Sequence, residues 1–120
     1  MNNNIFNRHI KNQKKHWWFQ GRKKIIEKII VQINLQKKIK ILDFGSGSGV
    51  NLDMLKKQGS VDIHEQNKYA RKMIKKKFKK IDNIYSNLNI KKNFYDLILV
   101  ADVIEHVKKP KDLLKNLKKF

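Results

Sequence analysis

KIKILDFGSGSGV, residues 38–50, joins a short apolar run to three alternating glycines at Gly45, Gly47 and Gly49. An apolar-periodic segment follows at residues 50–55, which predicts a buried strand, a tight glycine turn and a helix in that order. Glycines suit such a turn because it demands unusual backbone angles and lets the main chain approach a ligand closely. The N–H groups at the start of the helix are expected to attract a carboxylate or phosphate, so the segment predicts a nucleotide-binding crevice.

The spacing of the glycines and the acid before them favour one class of nucleotide. The pattern is G-x-G-x-G, and Asp43 lies two residues before the first glycine, where dinucleotide enzymes usually have an apolar residue. An acid at that point suits a ligand that carries a positively charged amino group. The run resembles the first motif of class I S-adenosylmethionine-dependent methyltransferases, in which this acid lies beside the methionine end of the cofactor. The alternative is an ordinary tight turn between a strand and a helix.

A second strand is predicted at residues 61–65, VDIHE, with a helix after it. Its last residue, Glu65, follows the glycine loop by about 20 residues, where an acid holds the ribose hydroxyls of a nucleotide. A carboxylate suits that task because it accepts two hydrogen bonds from a vicinal diol. Asp62 is the second choice for this role, and the alternative for either acid is a solvated position on the surface.

A third segment, FYDLILVADVIEHV at residues 94–107, resembles the fourth-strand signature of small-molecule methyltransferases, a group that includes ubiquinone-biosynthesis O-methyltransferases. In that group an aromatic-Asp pair enters a buried strand and an Asp-x-x-Glu-His segment leaves it. Residues 97–101 are continuously apolar, as expected of a strand covered on both faces. Pro110 then suits the first turn of a helix.

The alternation of strands and helices predicts an α/β fold with a parallel sheet and right-handed crossovers. By resemblance this is a Rossmann-like, three-layer αβα domain with the strand order 3-2-1-4. We expect a polar lead with an aromatic cluster at residues 1–20, and the S-adenosylmethionine-binding domain at residues 21–120. Strands are predicted at about 39–44, 61–65, 83–85 and 95–101, and helices at about 21–34, 49–58, 68–78 and from Pro110 onward.

Class I methyltransferases have a seven-stranded sheet, so the resemblance covers about the first half of the family's domain. We therefore expect a domain that is C-terminally incomplete, truncated before strands 5–7, with strand four at the sheet's edge. Natural proteins usually cover such an apolar edge, which predicts a partner chain there. The crevice between strands one and four would survive, whereas later elements build most of the family's acceptor pocket. Binding of the cofactor with impaired or absent turnover is thus an alternative to a working enzyme.

The resemblance also implies roles for individual residues. The expected chemistry is an SN2-like transfer of the sulfonium methyl group, in which positioning does much of the work. His106 is the candidate general base because its unperturbed pKa is near neutral, and its alternative role is to cap the connection after strand four. No metal site is predicted. The cofactor-binding residues implied are Asp43, Gly45, Gly47 and Gly49 for the methionine portion, Glu65 for the ribose, Asn87 at the adenine, where the family commonly has an acid, and Asp102 nearby.

An aromatic segment, HWWFQGR at residues 16–22, precedes a predicted amphipathic helix. Similar W-W-F-x-x-R segments head many of these methyltransferases, where a leading helix lies across the cofactor cleft. Trp17, Trp18 and Phe19 are expected either to form such a lid or to anchor the helix by packing. Arg22 is expected to be solvated, and the alternative is an ion pair with the cofactor's carboxylate.

Composition narrows the function further. The 120 residues include no cysteine, which suits a cytoplasmic protein and excludes the cysteine nucleophile of cytosine C5 methylation. The net charge of +19 comes almost entirely from lysine, so we expect only non-specific, salt-sensitive binding to nucleic acid. No apolar run is long enough to span a membrane. The sequence predicts an S-adenosylmethionine-dependent methyltransferase with a small-molecule acceptor; the alternatives are a non-catalytic remnant, the N-terminal subunit of a split enzyme or, with less support, an RNA-binding or RNA methyltransferase module.

Overall fold

The computed structural model describes residues 3–5, 7–8, 11, 17–33 and 38–120. Its longer elements alternate along the chain as the sequence predicts, and a short 3-10 helix follows the last strand. None of the helices in these described ranges is long and apolar enough to cross a membrane. The elements are α1 (Trp17–Gln32), β1 (Ile39–Phe44), α2 (Leu52–Lys56), β2 (Gly59–His64), α3 (Lys68–Lys77), β3 (Ile84–Tyr85), β4 (Leu97–Leu99), the 3-10 helix (Ile104–His106) and α4 (Pro110–Leu117).

The four strands form one parallel sheet in the order β3-β2-β1-β4, which confirms the predicted fold class. β1 lies inside the sheet, where Ile41 pairs with Val61 of β2 and with Leu97 of β4. β4 pairs only with β1 among the described strands and is therefore an edge, as predicted. This order brings the carboxyl ends of β1, β2 and β4 to the same side of the sheet.

Hydrophobic side chains cover both faces of the sheet. On one face Ile41 and Ile63 pack with α1, α2 and α3. On the other face Leu42 and Phe44 pack with Ile90 and with residues at and beyond the end of α4. Ile41 and Leu42 are adjacent in sequence and both have no exposed surface, because successive side chains of a strand point to opposite faces. β1 is thus buried in the core of the protein.

Several element boundaries differ from the predicted ones. α1 begins at Trp17 rather than Gly21, so the aromatic cluster is helical and not part of a lead; the rest of the predicted lead lies largely outside the described residues. α2 begins at Leu52 rather than Gly49, because Gly49 has a φ of +76° and extends the turn. β4 covers only residues 97–99; before it, the backbone N–H of Tyr95 bonds to Phe120, and that of Asp96 bonds to Lys40 of β1.

A buried polar cluster joins β2 to the segments just before β3 and β4. The Asp62 carboxylate accepts hydrogen bonds from the backbone and the side chain of Asn83, at 3.1 and 3.0 Å, and from the Tyr95 hydroxyl at 2.6 Å. Burial and this bond to Asp62 raise the pKa of Tyr95 well above its usual range, so the hydroxyl remains a donor. These bonds explain how Asp62, only 6% exposed, is tolerated in the core.

Replacing Tyr95 by Phe should lower the free energy of unfolding by about 1–3 kcal/mol, because the buried carboxylate loses a donor without gaining water. Urea unfolding measures this loss as a lower midpoint at an unchanged slope. Tyr69→Phe is the matched control, since its hydroxyl makes an exposed 3.2 Å bond to Asn7, and it should cost less than about 0.5 kcal/mol. Equal losses in the two variants would contradict a special role for the Asp62 cluster.

Candidate functional site

A cleft of about 870 Å³ opens where β1, β2 and β4 end. In parallel α/β sheets, ligands bind outside the carboxyl ends of the strands, at the point where the strand order reverses. In this sheet that point is at β1, which has β2 as its neighbour on one side and β4 on the other. The lining combines the glycine turn, the residues after β2, the segment after β4 and the start of α1. It consists of Trp18, Phe19, Arg22, residues 43–48, Val50, Asn51, residues 64–67, Leu88, residues 101–103, residues 105–107 and Leu113.

The glycine turn is tied to the end of β2. The His64 carbonyl accepts hydrogen bonds from the N–H groups of Gly45 and Ser46, at 2.8 and 3.1 Å. The Gly47 N–H donates to the Glu65 carboxylate at 2.6 Å. The turn's backbone at Gly45 and Gly47 is expected to hold the methionine portion of the cofactor, and in this structure the N–H groups of both residues donate to protein oxygens.

The three glycines have different surroundings. A Cβ atom at Gly45 would lie 2.4 Å from a methyl group of Val103, so the turn approaches the segment after β4 too closely for any side chain. Gly47 has a φ of +57° and no neighbouring atom within 4 Å of a Cβ position, so its backbone faces open space in the cleft. Gly49 does not line the cleft and faces the core. Gly45 and Gly47 therefore shape the cleft, and Gly49 permits packing behind it.

Of the two acids considered for the ribose, Glu65 is the one that lines the cleft. Its second carboxylate oxygen accepts a hydrogen bond from the Asn67 N–H at 2.9 Å, so both oxygens are fixed by backbone donors. Each oxygen keeps lone-pair capacity for a further donor, which leaves the carboxylate able to accept two hydroxyl groups. Asp62, the second choice for this role, does not line the cleft and is engaged by Asn83 and Tyr95.

Asp43 lies at the buried end of the cleft with an unsatisfied carboxylate oxygen. The side chain is 2% exposed, and one of its oxygens has no hydrogen-bond partner. Burial, with a further contribution from the negative charge of Glu65, raises the pKa of Asp43 to about 7. A positively charged group beside this carboxyl would favour its ionised form and so lower its pKa, against the effects of burial and of Glu65.

Unsatisfied polar atoms concentrate in this cleft. In the described part of the chain, the buried side-chain nitrogen and oxygen atoms without a partner belong to Arg22, Asp43, Ser46 and His64. All four residues line the cleft. Buried polar groups are normally hydrogen-bonded, so a cluster of exceptions at one place indicates a site for a polar ligand. No group of three or more potential metal-binding residues is present in the described ranges.

His64 is a site residue that the sequence analysis missed. Its ring stacks on Phe44 with a centroid distance of 4.2 Å and an interplanar angle of 5°. Burial lowers its pKa, partly offset by the nearby Glu65 carboxylate, so the imidazole is neutral at physiological pH. The sequence did contain a signal for it, because the polar His64 stands in the predicted strand 61–65 immediately before Glu65, the acid that ends that strand.

The start of α1 and the segment after β4 both line the cleft and contact each other. Arg22 of α1 makes an ion pair with Asp102, which has a φ of +56°. The Arg22 side chain is only 18% exposed, so the expectation of a solvated arginine is wrong. The alternative, an ion pair between Arg22 and the cofactor's carboxylate, stays a prediction; in this structure the carboxylate beside Arg22 is that of Asp102. Trp18 and Phe19 also line the cleft, which is consistent with a lid without excluding their packing role.

Two predicted residues lie at the margins of the site. His106 lines the cleft on the 3-10 helix, but its side chain is 77% exposed and its Nε2 atom is 4.0 Å from Glu105. Asn87 does not line the cleft, and its side chain accepts a hydrogen bond from the Asn89 N–H at 2.8 Å. Leu88 lines the cleft in its place. The roles of general base and adenine contact remain predictions.

Comparison with known proteins agrees with this geometry. The sequence profile of a family described as a methyltransferase domain matches residues 10–120. A proposed S-adenosyl-L-methionine-dependent methyltransferase from Methanococcus maripaludis superposes with a TM-score of 0.77 at 17% identity, over 95% of this chain and 56% of that protein. A proposed type 11 methyltransferase from Sulfolobus solfataricus gives a TM-score of 0.66 at 25% identity, over 78% of this chain and 56% of the other.

A third solved structure contains a bound ligand. The plantazolicin methyltransferase BpumL, solved with a desmethylplantazolicin analogue and S-adenosylhomocysteine, gives a TM-score of 0.70 at 20% identity, over 95% of this chain and 47% of its own. The present chain thus spans about half the length of these structures. No curated protein matches it in sequence.

The Asp43 carboxyl should make stability depend on pH in a defined direction. Because its folded pKa of about 7 exceeds the ordinary value of 3.8, the folded state holds the proton more tightly than the unfolded chain. Its contribution to the free energy of unfolding is therefore full below pH 3.8 and is lost as pH rises through 7. Asp43→Asn should remove this decline, so the variant gains stability relative to the wild type between these pH values.

Urea unfolding at a series of pH values measures the difference between wild type and variant. Asp53→Asn, at an exposed acid in the first turn of α2, is the control and should follow the wild-type profile. Parallel profiles for Asp43→Asn and the wild type would show that Asp43 does not titrate in the expected range.

Proposed function

The chain belongs to the methyltransferase-domain family, and we propose that its cleft binds S-adenosylmethionine and supports methyl transfer to a small-molecule acceptor. The observation that carries this proposal is the set of buried, unsatisfied polar atoms around the glycine turn, with Asp43 at its centre. S-adenosylmethionine matches this set because it combines a positively charged amino group, a ribose diol and an adenine ring. The S-adenosylhomocysteine bound to the structurally similar BpumL supports the same ligand class.

The methionine portion of the cofactor fits beside Asp43. The buried carboxyl lacks a partner for one oxygen, and burial together with the negative charge of Glu65 raises its pKa. An ammonium group would favour the ionised carboxylate and satisfy the free oxygen. Gly47 leaves open space at the turn, so the ligand can approach the backbone closely.

The ribose portion fits at Glu65. Its carboxylate is already oriented by the N–H groups of Gly47 and Asn67, so a diol would meet an acceptor that needs no rearrangement. The neutral His64 ring beneath the cleft adds an unsatisfied donor and acceptor near this carboxylate. These residues give the site directional polar contacts at its buried end.

The acceptor is proposed to enter from the side lined by Val103, His106, Val107 and Leu113. The bound cofactor would supply an activated methyl group, and the protein would position the acceptor in line with it. His106, exposed at the cleft's margin, would take the proton of an acceptor hydroxyl. The cleft volume of about 870 Å³ lies in the upper part of the range of ligand pockets, which suits two small molecules together.

Cofactor binding is tested by calorimetric titration with S-adenosylmethionine and S-adenosylhomocysteine. The wild type should bind both, and Glu65→Ala should weaken binding at least tenfold, or about 1.4 kcal/mol, because the diol loses its acceptor. Glu65→Gln should have an intermediate effect, since it keeps one oxygen. Glu27→Ala, which removes the same charge from α1, should bind like the wild type. A folded wild-type chain that binds neither ligand would exclude the proposal.

Binding should also release a proton from Asp43. With a pKa of about 7, the carboxyl is roughly half protonated at pH 7, so a cationic ligand should displace roughly half a proton there. Affinity should consequently rise as pH increases through this range. Titrations in buffers of different ionisation enthalpy measure the release, which Asp43→Asn should abolish and Asp53→Asn should preserve. Equal proton release by wild type and Asp43→Asn would place the titrating group elsewhere.

A further inference from the structure

One ion pair joins two of the elements that line the cleft, α1 and the segment after β4. Arg22 lies on α1 and Asp102 follows β4, so the contact connects residues 80 positions apart. Both residues line the cleft. The pair therefore links two separate elements rather than stabilising a single helix or turn.

The rest of α1 is attached at its other end. Ile30 is the buried residue of this helix, with an exposure of 5%, and Ile26 packs partly against the same core cluster. Arg22 precedes Ile30 by eight residues, which is about 12 Å along a helix. The C-terminal half of α1 is thus fixed by the core, and the half that carries Trp18 and Phe19 lies against the cleft.

Arg22 and Asp102 are in contact, but the pair leaves some of its hydrogen-bonding groups unused. A single guanidinium nitrogen, Nη1, reaches a single carboxylate oxygen, whereas the strongest arginine–carboxylate pairs use two parallel bonds. The Nε atom of Arg22 is buried without a partner, and the guanidinium lies 5.2 Å from the Phe19 ring centroid. Such a pair can hold two elements together and still open at modest cost.

We propose that Arg22 and Asp102 form a latch that holds the N-terminal half of α1 over the cleft and slows ligand exchange. The first part concerns the free protein and is independent of the ligand's identity. The second part, slower exchange, rests on the proposed binding of S-adenosylmethionine. A ligand would enter or leave when the ion pair opens and α1 moves about its core attachment at Ile30.

The ligand-free chain tests the first part by hydrogen exchange of the α1 amides. Arg22→Gln and Asp102→Asn should each speed exchange in residues 19–26 roughly fivefold, and the double variant should exchange no faster than either single variant, because both remove one contact. Lys24→Gln removes the same charge from an exposed position on the same helix, and it should leave the exchange unchanged.

A second substitution separates the latch from backbone stability. Asp102 adopts a left-handed φ of +56°, which glycine accepts without strain. Asp102→Gly should keep or raise the melting temperature while α1 exchanges as fast as in Asp102→Asn. Unchanged exchange in α1 of folded Arg22→Gln and Asp102→Gly would overturn the latch, and so would additive effects of Arg22→Gln and Asp102→Asn.

Stopped-flow dissociation of S-adenosylhomocysteine tests the second part. Both tryptophans of the chain, Trp17 and Trp18, lie at the start of α1, so their fluorescence reports on this half of the helix. The latch variants should release the ligand roughly fivefold faster, and Lys24→Gln should not. Equal dissociation rates would overturn the effect on ligand exchange. If the wild type binds no ligand, the proposed function fails while the exchange of α1 still decides the latch.

Discussion

The burial of β1 is the constraint on which the rest of the structure depends. The strand has a partner on each edge and hydrophobic cover on each face, so nothing at its centre reaches water. Its carboxyl end nevertheless carries Asp43, whose free oxygen and raised pKa follow directly from this position. The glycine turn then leaves the sheet sharply, and its N–H groups donate to the His64 carbonyl and the Glu65 carboxylate at the end of β2. The cleft is the space that this arrangement leaves.

The sheet and the centre of the site could be predicted from the sequence because short-range patterns determine them. A glycine-rich turn after an apolar run specifies a strand followed by a helix, whereas the strand order was expected from the resemblance to class I methyltransferases. Asp43, Gly45, Gly47 and Glu65 belong to those patterns, and the structure brings all four to the cleft. Asn87 was placed at the adenine by the family's habit of having an acid in this loop, and here its side chain bonds to Asn89 instead.

The contacts that were not predicted depend on residues far apart in sequence. Arg22 and Asp102 are separated by 80 positions, so neither local pattern indicates that they meet. Asp62 and Tyr95 are 33 positions apart, and their hydrogen bond engages the Asp62 carboxylate away from the cleft, so that it does not serve as the ribose-binding acid.

The unequal pairing of the strands divides the cleft into a stiff side and a compliant side. β1 and β2 match over six residue pairs, whereas β1 and β4 match over three, and β4 has no second neighbour in the described sheet. Local opening begins where backbone pairing is sparse, so the wall after β4 should fluctuate on shorter timescales than the floor formed by β1 and β2. A ligand held by Asp43 and Glu65 would sit on the stiff side and face a wall able to adjust to acceptors of different shape.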